Sequence, residues 1–375
     1  MKIVIFSSVF NHHSLPLCDA LNALPEVECT FVETMEEEQQ RKDLGYHSYN
    51  RQYVLNMLES AGNHKKAHQL ALTADVMIAS VFPYEFLKER LQENKLTFLC
   101  QERIFKGGAG LMRRARAWFY NLRKFYRFRK KPLYFLSLGE GAAQDYHSIG
   151  FYKGKSFRWA YYPPFLPYDT EALMKKKNGE KIRILFVGRM ICWKNPNFVL
   201  RGVKSLLAAG YAVELTYIGN GPLLETLKNE AADVRDAVHF LGAMSPEQVR
   251  NHMEMSNILT FTSNSMEGWG AVLNEAMNAG CAVVTSASPG SAQTLLRDGE
   301  NGLVYQGDSY EAFYQKLLQL VESPELTRKL GVAAYRTIAD QYNAAVAAQR
   351  FCEQCKALLN EERIQDYAAG PMTRV

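Results

Sequence analysis

The stretch "NSMEGWGAVLNEAMNAG" sets two glutamates, Glu267 and Glu275, eight positions apart, with Gly-Trp-Gly directly after the first. Gly268 and Gly270 flank a turn in which backbone can approach a ligand closely. A helix expected from about Gly270 presents the amides of Gly270, Ala271 and Val272 at its positive end, a ready site for an anion. If Glu267 were helical too, the two carboxylates would stand only ~80° apart around the axis. A phosphate on the helix tip would then have a carboxylate on either side. Carboxylates bind hydroxyls well and phosphates badly, so the pattern suits a ligand with hydroxyl groups on both flanks of a phosphate, such as a nucleotide sugar. The plainer reading is a helix with an acidic cap and one solvated glutamate.

Two other loops carry matching chemistry. "FVGRMICWKN" ends a strand with Gly188 and Arg189 and adds Lys194 five residues on. Arg forks across two oxygens and Lys supplies a point charge, so the pair can neutralise a diphosphate. In "YIGNGP", Gly219, Asn220 and Gly221 make a Gly-x-Gly turn, which taken alone is weak evidence of phosphate contact.

The elements that must position these residues are legible as alternation. From "KIRILFVGRM" to "CAVVTSA" strands and helical lengths succeed one another. That pattern predicts right-handed crossovers and a parallel, doubly wound sheet. The first half repeats it less regularly, with strands expected at 2–8, 27–33, 75–80, 96–101, 133–138 and near 157–162. In open parallel sheets ligands gather at the carboxyl ends of strands, where these loops lie. A length of 375 residues fits two domains. "PPFLPYDTEALMKKKNGEK" reads as the linker. The expected division is 1–170, 171–345, and a last helix in 346–375 crossing back to the first domain. Apolar residues at 47% and charged residues at 22% make a globular composition. "MKIVIFSSVF" reads as a first strand rather than a signal peptide. Seven cysteines in apolar contexts read as reduced thiols of a cytoplasmic protein. Cys352 and Cys355 form a C-x-x-C without a second pair, so no metal site is expected.

Gly-Arg with a following Lys, the Gly-x-Gly-Pro loop, "HFLGAMS", E-G-W-G-x-x-x-x-E and "LRDGENGLVY" resemble, in order and spacing, the donor domain of the GT4 family of retaining glycosyltransferases. The resemblance covers about 170–345. It implies GT-B architecture, two Rossmann-like doubly wound parallel-sheet domains facing a cleft, with the donor domain second. It further implies that Glu267 contacts the transferred sugar and Glu275 the ribose hydroxyls. Arg189 and Lys194 would hold the diphosphate and stabilise it as it leaves. The loop from Leu241 through Ala243 and Met244 would lie along the nucleobase. Trp269, which the resemblance places among the donor-binding residues, stands where Phe is more usual. No Asp-x-Asp occurs, which fits a family that stabilises its leaving group with cations and helix amides and uses neither metal nor cofactor, the nucleotide-diphosphate sugar being a co-substrate.

The first half departs from the family. "FNHHSLPL" brings His12 and His13 where a Gly pair is common, and "LTFLCQERIFKGG" brings Glu102 and Arg103 where a His is common. All four are candidates for the acceptor side, Glu102 as a group that orients or deprotonates the acceptor hydroxyl. The alternative for Glu102 is a Glu–Arg pair at a strand end.

Eleven Lys/Arg and no acid lie between Glu102 and Glu140, whereas the remaining 33 Lys/Arg against 39 Asp/Glu leave the rest of the chain at −6. "GLMRRARAWFYNLRKFYRFRKKP" spaces Leu111, Ala115, Trp118, Leu122 and Phe125 as a helical stripe. Cations interleaved with aromatic rings suit an interfacial helix on an anionic membrane, with Arg123, Lys124, Arg127 and Lys130 facing the lipid. Nucleic acid competes as a partner, but no recognised module accompanies the segment, and the plainer reading is a core-facing helix with a solvated basic face. The expected protein moves a sugar from a nucleotide-diphosphate donor to a glycan or lipid-linked acceptor, at the cytoplasmic face of a membrane, with no nucleic-acid partner. A sugar-nucleotide epimerase of the same fold and a non-catalytic sugar-nucleotide-binding protein are the rivals.

Overall fold

The computed structural model describes residues 1–36, 49, 51–108 and 110–375. It divides into two compact units, 1–164 together with 341–375, and 165–340. Each is built on one parallel sheet with the strand order 3-2-1-4-5-6, to which the first unit adds a seventh strand at the edge.

In the first unit the strands are β1 (Lys2–Ser7), β2 (Glu28–Glu33), β3 (Val54–Asn56), β4 (Val76–Ala79), β5 (Leu96–Gln101), β6 (Leu133–Leu138) and β7 (Ser156–Trp159). They lie in the order β3-β2-β1-β4-β5-β6-β7. Ile5 is in register with Phe31 on one side and Ile78 on the other. Central strands of this kind are covered on both faces and read as continuous apolar runs. "IVIF" obeys that rule, with Ile3, Val4, Ile5 and Phe6 all buried. The helix Ala344–Leu359, capped by Asn343, belongs to this unit. Its Phe351 ring packs 5.1 Å from Phe98 and 5.6 Å from Trp159. Cys352 and Cys355 fill the same seam and are buried, so their spacing serves packing.

The second unit contains β8 (Ile182–Val187), β9 (Val213–Ile218), β10 (Val238–Phe240), β11 (Ile258–Phe261), β12 (Ala282–Ser286) and β13 (Leu303–Tyr305), ordered β10-β9-β8-β11-β12-β13. The three-residue strands β3 and β13 escaped the sequence reading because they are too short to show a period. The expected linker contains a helix of its own, Thr170–Lys176, started by Asp169, which accepts from the Ala172 amide at 2.7 Å. Its Leu173 and Met174 are buried.

Among the described residues of the first unit, one charged side chain is wholly inside. Arg90 has no exposed surface. Its guanidinium donates to the carbonyls of Ala71, Ala74, Asp75 and Leu96 and to the Thr97 hydroxyl, at 2.7 to 3.1 Å. Burial lowers its pKa to about 10, so the charge persists at neutral pH. The group ties the start of β5 to the helix Ala61–Thr73. Replacing it with an apolar side chain strands several buried acceptors, each costing about 1–3 kcal/mol. Arg90→Met is therefore expected to lower unfolding stability by about 3 kcal/mol or more, measured by urea denaturation. A change under about 1 kcal/mol would mean that water replaces the guanidinium.

Candidate active site

In the second unit the strand order reverses between β8 and β11, the topological switch point at which doubly wound sheets bind ligands. The loops leaving these two strands carry Lys194 and Glu267. Lys194 closes a short 3-10 turn, Cys192–Lys194. Its Nζ donates to Glu267 Oε2 at 2.5 Å, and both side chains are largely buried. The Ser263 hydroxyl donates to the same Oε2 at 2.9 Å. Ser263 is itself fixed, since its carbonyl accepts from the Ser286 hydroxyl at the end of β12. Oε2 is thus saturated, and Oε1 is the oxygen left to meet a hydroxyl. Arg189 is exposed, with its guanidinium 5.8 Å from the Trp193 ring. Among the described residues it has no carboxylate partner.

The Gly-x-Gly turn has a clear physical purpose. A Cβ on Gly219 would come within 2.2 Å of the Gly188 carbonyl oxygen, and one on Gly221 within 2.5 Å of the Met190 carbonyl oxygen. The loops after β8 and β9 therefore pack backbone to backbone, with Met190 N donating to Asn220 O at 2.9 Å. The Gly219 amide is used on Gly242 O at 2.7 Å, so this glycine shapes the site and offers no amide to a phosphate. Asn220 remains exposed. Gly242 anchors the next loop, in which Leu241 and Ala243 are exposed and Met244 half-buried. That loop ends in a capping box between Ser245 and Gln248.

Glu267 sits in a turn, with its amide donating to Asn264 O at 3.0 Å, and the helix begins only at Val272. The angular relation expected for two helical glutamates does not apply. Gly270 is the reason: its φ is 84° and a Cβ there would lie 2.2 Å from the Phe261 ring, so the chain turns tightly over Phe261 before it can coil. The amides of Gly270, Ala271 and Val272 donate to no acceptor among the described residues. Trp269, expected among the donor-binding residues, points the other way. It is 1% exposed, and its Nε1 donates to Asn274 Oδ1 at 2.9 Å. Gly268 and Trp269 accept from the amides of Gly290 and Ser291 at the start of another helix, Gly290–Leu295.

Glu275 lies in the first turn of Val272–Asn278. Burial pushes its carboxyl up to about 7, against the opposing pull of Arg250. Arg250 donates to Asn278 Oδ1 at 2.8 Å and to the Glu275 carbonyl at 3.3 Å. The two glutamates therefore differ in kind. Glu267 is ion-paired to Lys194, whereas Glu275 is half protonated near neutrality and can both give and take a hydrogen bond.

The candidates in the first unit are arranged differently from expectation. Glu102 accepts from Lys106 Nζ at 2.6 Å and from the Tyr161 hydroxyl at 3.4 Å. It does not pair with Arg103. Arg103 forks onto Asp145, at 3.1 and 3.3 Å, and Asp145 also accepts from the Phe105 amide. The carboxylate that neutralises Arg103 is 42 residues away in sequence, so the cation braces the loop after β5. His12 is buried and its ring lies 3.7 Å from that of His13. His13 lines a cavity of about 70 Å³ at the carboxyl ends of β1, β4 and β5, with Ser7, Ser80, Cys100 and Tyr162.

The basic segment folds as the helix Leu111–Phe125 and a following turn, Tyr126–Phe128. The expected apolar stripe is divided between two faces. Ala117, Leu122, Phe125 and Phe128 pack on the first unit's core, whereas Leu111, Met112, Trp118 and Phe119 are 86, 87, 46 and 59% exposed. Both sets satisfy a helical period, which is why periodicity alone merged them. Among the described residues no acid forms a salt bridge with any cation from Arg113 to Lys131. Lys124 Nζ lies over the Tyr84 ring at 3.8 Å, and Arg127 reaches the Tyr84 hydroxyl at 3.3 Å. Arg123 and Lys130 are exposed. No helix of the described residues is long and apolar enough to cross a membrane.

Two doubly wound parallel units, one carrying cations and carboxylates at its switch point, define an α/β fold of GT-B type. Residues 169–337 match the family model described as glycosyl transferases group 1. A GDP-mannose-dependent alpha-(1-6)-phosphatidylinositol monomannoside mannosyltransferase of Mycolicibacterium smegmatis is 26% identical over 195 residues, 49% of this chain and 51% of its own. The chain thus spans about half the length of the curated relatives it matches. Among solved structures, Anabaena HepE in complex with UDP aligns over 95% of this chain and 100% of its own, with a TM-score of 0.66 at 13% identity. Sucrose-phosphate synthase from Thermosynechococcus elongatus aligns over 96% and 100%, with a TM-score of 0.67 at 14% identity. At such identities these likenesses establish the fold.

The raised Glu275 pKa has a stability consequence of definite sign. Its contribution is complete below the unfolded value near 4.5 and is lost as pH rises through about 7. The wild type should lose up to about 3 kcal/mol between about pH 5 and pH 8 that Glu275→Gln does not lose. Urea denaturation of both proteins across that range is the check, and parallel pH profiles would count against it.

Proposed function

We propose that this protein is a retaining glycosyltransferase that moves a sugar from a nucleotide-diphosphate donor to a glycan or lipid-linked acceptor. The observation that carries the reading is the Lys194–Glu267 pair at the switch point, with Arg189, which has no carboxylate partner among the described residues, in the same loop as Lys194. A partly buried ion pair holds two charges together at no net charge. An arriving diphosphate competes for Lys194 and recruits Arg189, which frees Glu267 to accept from sugar hydroxyls. As the glycosidic bond to phosphate breaks, negative charge grows on the diphosphate, and the two cations and the open amides at 270–272 stabilise it there. Glu275, its carboxyl raised to about 7, hydrogen-bonds ribose hydroxyls and repels the phosphates beside it less than a fully ionised carboxylate would. Leu241, Ala243 and Met244 offer an apolar bed for the base. The GDP-mannose dependence of the Mycolicibacterium smegmatis relative and the UDP bound in the HepE structure set the donors to try first.

Glu267→Ala is expected to abolish transfer, and Glu275→Ala chiefly to weaken donor binding, read by thermal shift with UDP-glucose, UDP-N-acetylglucosamine and GDP-mannose. A donor at ~100 times its dissociation constant adds ~2.7 kcal/mol of stability. EDTA should leave turnover intact, because the cations supply the leaving-group charge. Wild-type turnover in both variants would refute the site, and epimer formation without any acceptor would replace transfer with epimerisation.

The acceptor reading rests on the helix Leu111–Phe125. Its exposed apolar face, flanked by cations with no acid, fits a peripheral site on the anionic cytoplasmic face of a membrane. Each Lys or Arg near such a surface contributes about 1 kcal/mol, screened over ~8 Å at physiological salt. Trp118 and Phe119 would insert at the interface. Exchanging Arg123, Lys124, Arg127 and Lys130 for Gln should release the protein from anionic vesicles in sedimentation while leaving donor binding unchanged. Indifference of the wild type to such vesicles at low salt would end the membrane reading.

A further inference from the structure

The two loops that carry Lys194 and Glu267 are fastened by a third. Asn264 N donates to Trp193 O at 2.9 Å, and the Thr262 hydroxyl donates to Lys194 O at 2.6 Å. Beyond these ties, Asp308, in the loop after β13, accepts from Asn195 Nδ2 at 2.6 Å through Oδ1 and from Asn264 Nδ2 at 3.3 Å through Oδ2. One carboxylate thus grips a side chain on each catalytic loop.

Asn195 shows that the grip is specific. It stands at the N-cap of the helix Pro196–Ala208, where an Asn side chain ordinarily accepts from an early helix amide. Here it makes no such bond, and the residue takes left-handed geometry at φ 47°, ψ 47°. Its amide turns instead toward the Thr262 carbonyl, at 3.2 Å, and Asp308. Asn tolerates this conformation better than most residues, and the side chain so oriented is immediately adjacent to Lys194.

We propose that Asp308 is a positioning residue, whose bonds to Asn195 and Asn264 hold Lys194 and Glu267 in the geometry the site needs. The proposal rests on the reading of those two residues given above. Asp308 touches neither the sugar nor the phosphates in this scheme and acts through the two loops. Because the bonds lie at the surface, the effect falls on placement rather than on global stability.

The test compares Asp308→Ala, Asn195→Gly and the double variant in the full chain. Glycine keeps the left-handed backbone of Asn195 and deletes only the side-chain tie. Accessibility of Lys194 is read by acetic anhydride labelling and peptide mass spectrometry, with the exposed Lys329 as reference. Both single variants should label Lys194 several-fold faster, the double variant no faster than either, and Lys329 unchanged. With UDP-glucose or GDP-mannose as donor, kcat should fall about tenfold in the same variants with KM little altered. Asp308→Asn, which keeps one acceptor oxygen, should fall between Asp308→Ala and wild type. Wild-type labelling in either single variant, or effects that multiply in the double, would overturn the proposal. A wild type that turns over no nucleotide sugar would count against the proposed function, while the labelling pattern would still decide the role of Asp308.

Discussion

Everything at the site depends on one feature of the sheet, the parallel pairing of β8 with β11. Ile184 faces Ile258 and Leu185 faces Leu259 in register. The chain then leaves β8 toward β9 on one side and β11 toward β12 on the other. Right-handed crossovers send the two following helices to opposite faces of the sheet. The loops must part as they leave, and a crevice opens between them with the backbone of both strands at its floor. Lys194 reaches across from one loop and Glu267 from the other. No other adjacent pair in this sheet has that divergence.

The electrostatics of the crevice follow from how much water each group keeps. Lys194 and Glu267 give up most of theirs together and compensate each other within one ion pair. Glu275 gives up water without an equal partner, so its carboxyl holds its proton to about 7. Two carboxylates eight positions apart therefore present different chemistry at neutral pH, one as an acceptor and one as donor and acceptor. Serine hydroxyls supply the remaining order. Ser263 loads one oxygen of Glu267, and Ser291 holds the carbonyls of the Gly-Trp-Gly turn.

The first unit repeats the same sheet but uses its loops for bracing. Arg103 is spent on Asp145 and Glu102 is shared between Lys106 and Tyr161. Its conspicuous surface is instead the helix Leu111–Phe125, where one apolar face enters the core and another is left to solvent. A single amphipathic helix needs only one such face to fold. The second is therefore not required by the fold of this unit.

The alternation of strands and helices was legible in the sequence, because it depends on local periodicity, and Glu267, Glu275, Arg189 and Lys194 stood out as candidates by residue type and by their place in strand-to-helix loops. The tertiary structure alone decided which groups meet. Ser263 and Glu267 are close enough in sequence for the turn to have been guessed, but Asp308 lies 113 residues from Asn195 and shares no pattern with it. Trp269 read as ligand-facing and is core, because its direction is set by Asn274 and the helix Gly290–Leu295. Gly219 read as a phosphate contact and is a spacer, because the loop against it comes from another strand. Periodicity states that a side chain has a face. Only the packing of distant segments decides what that face touches, and the pKa of Glu275 depends on that packing in the same way.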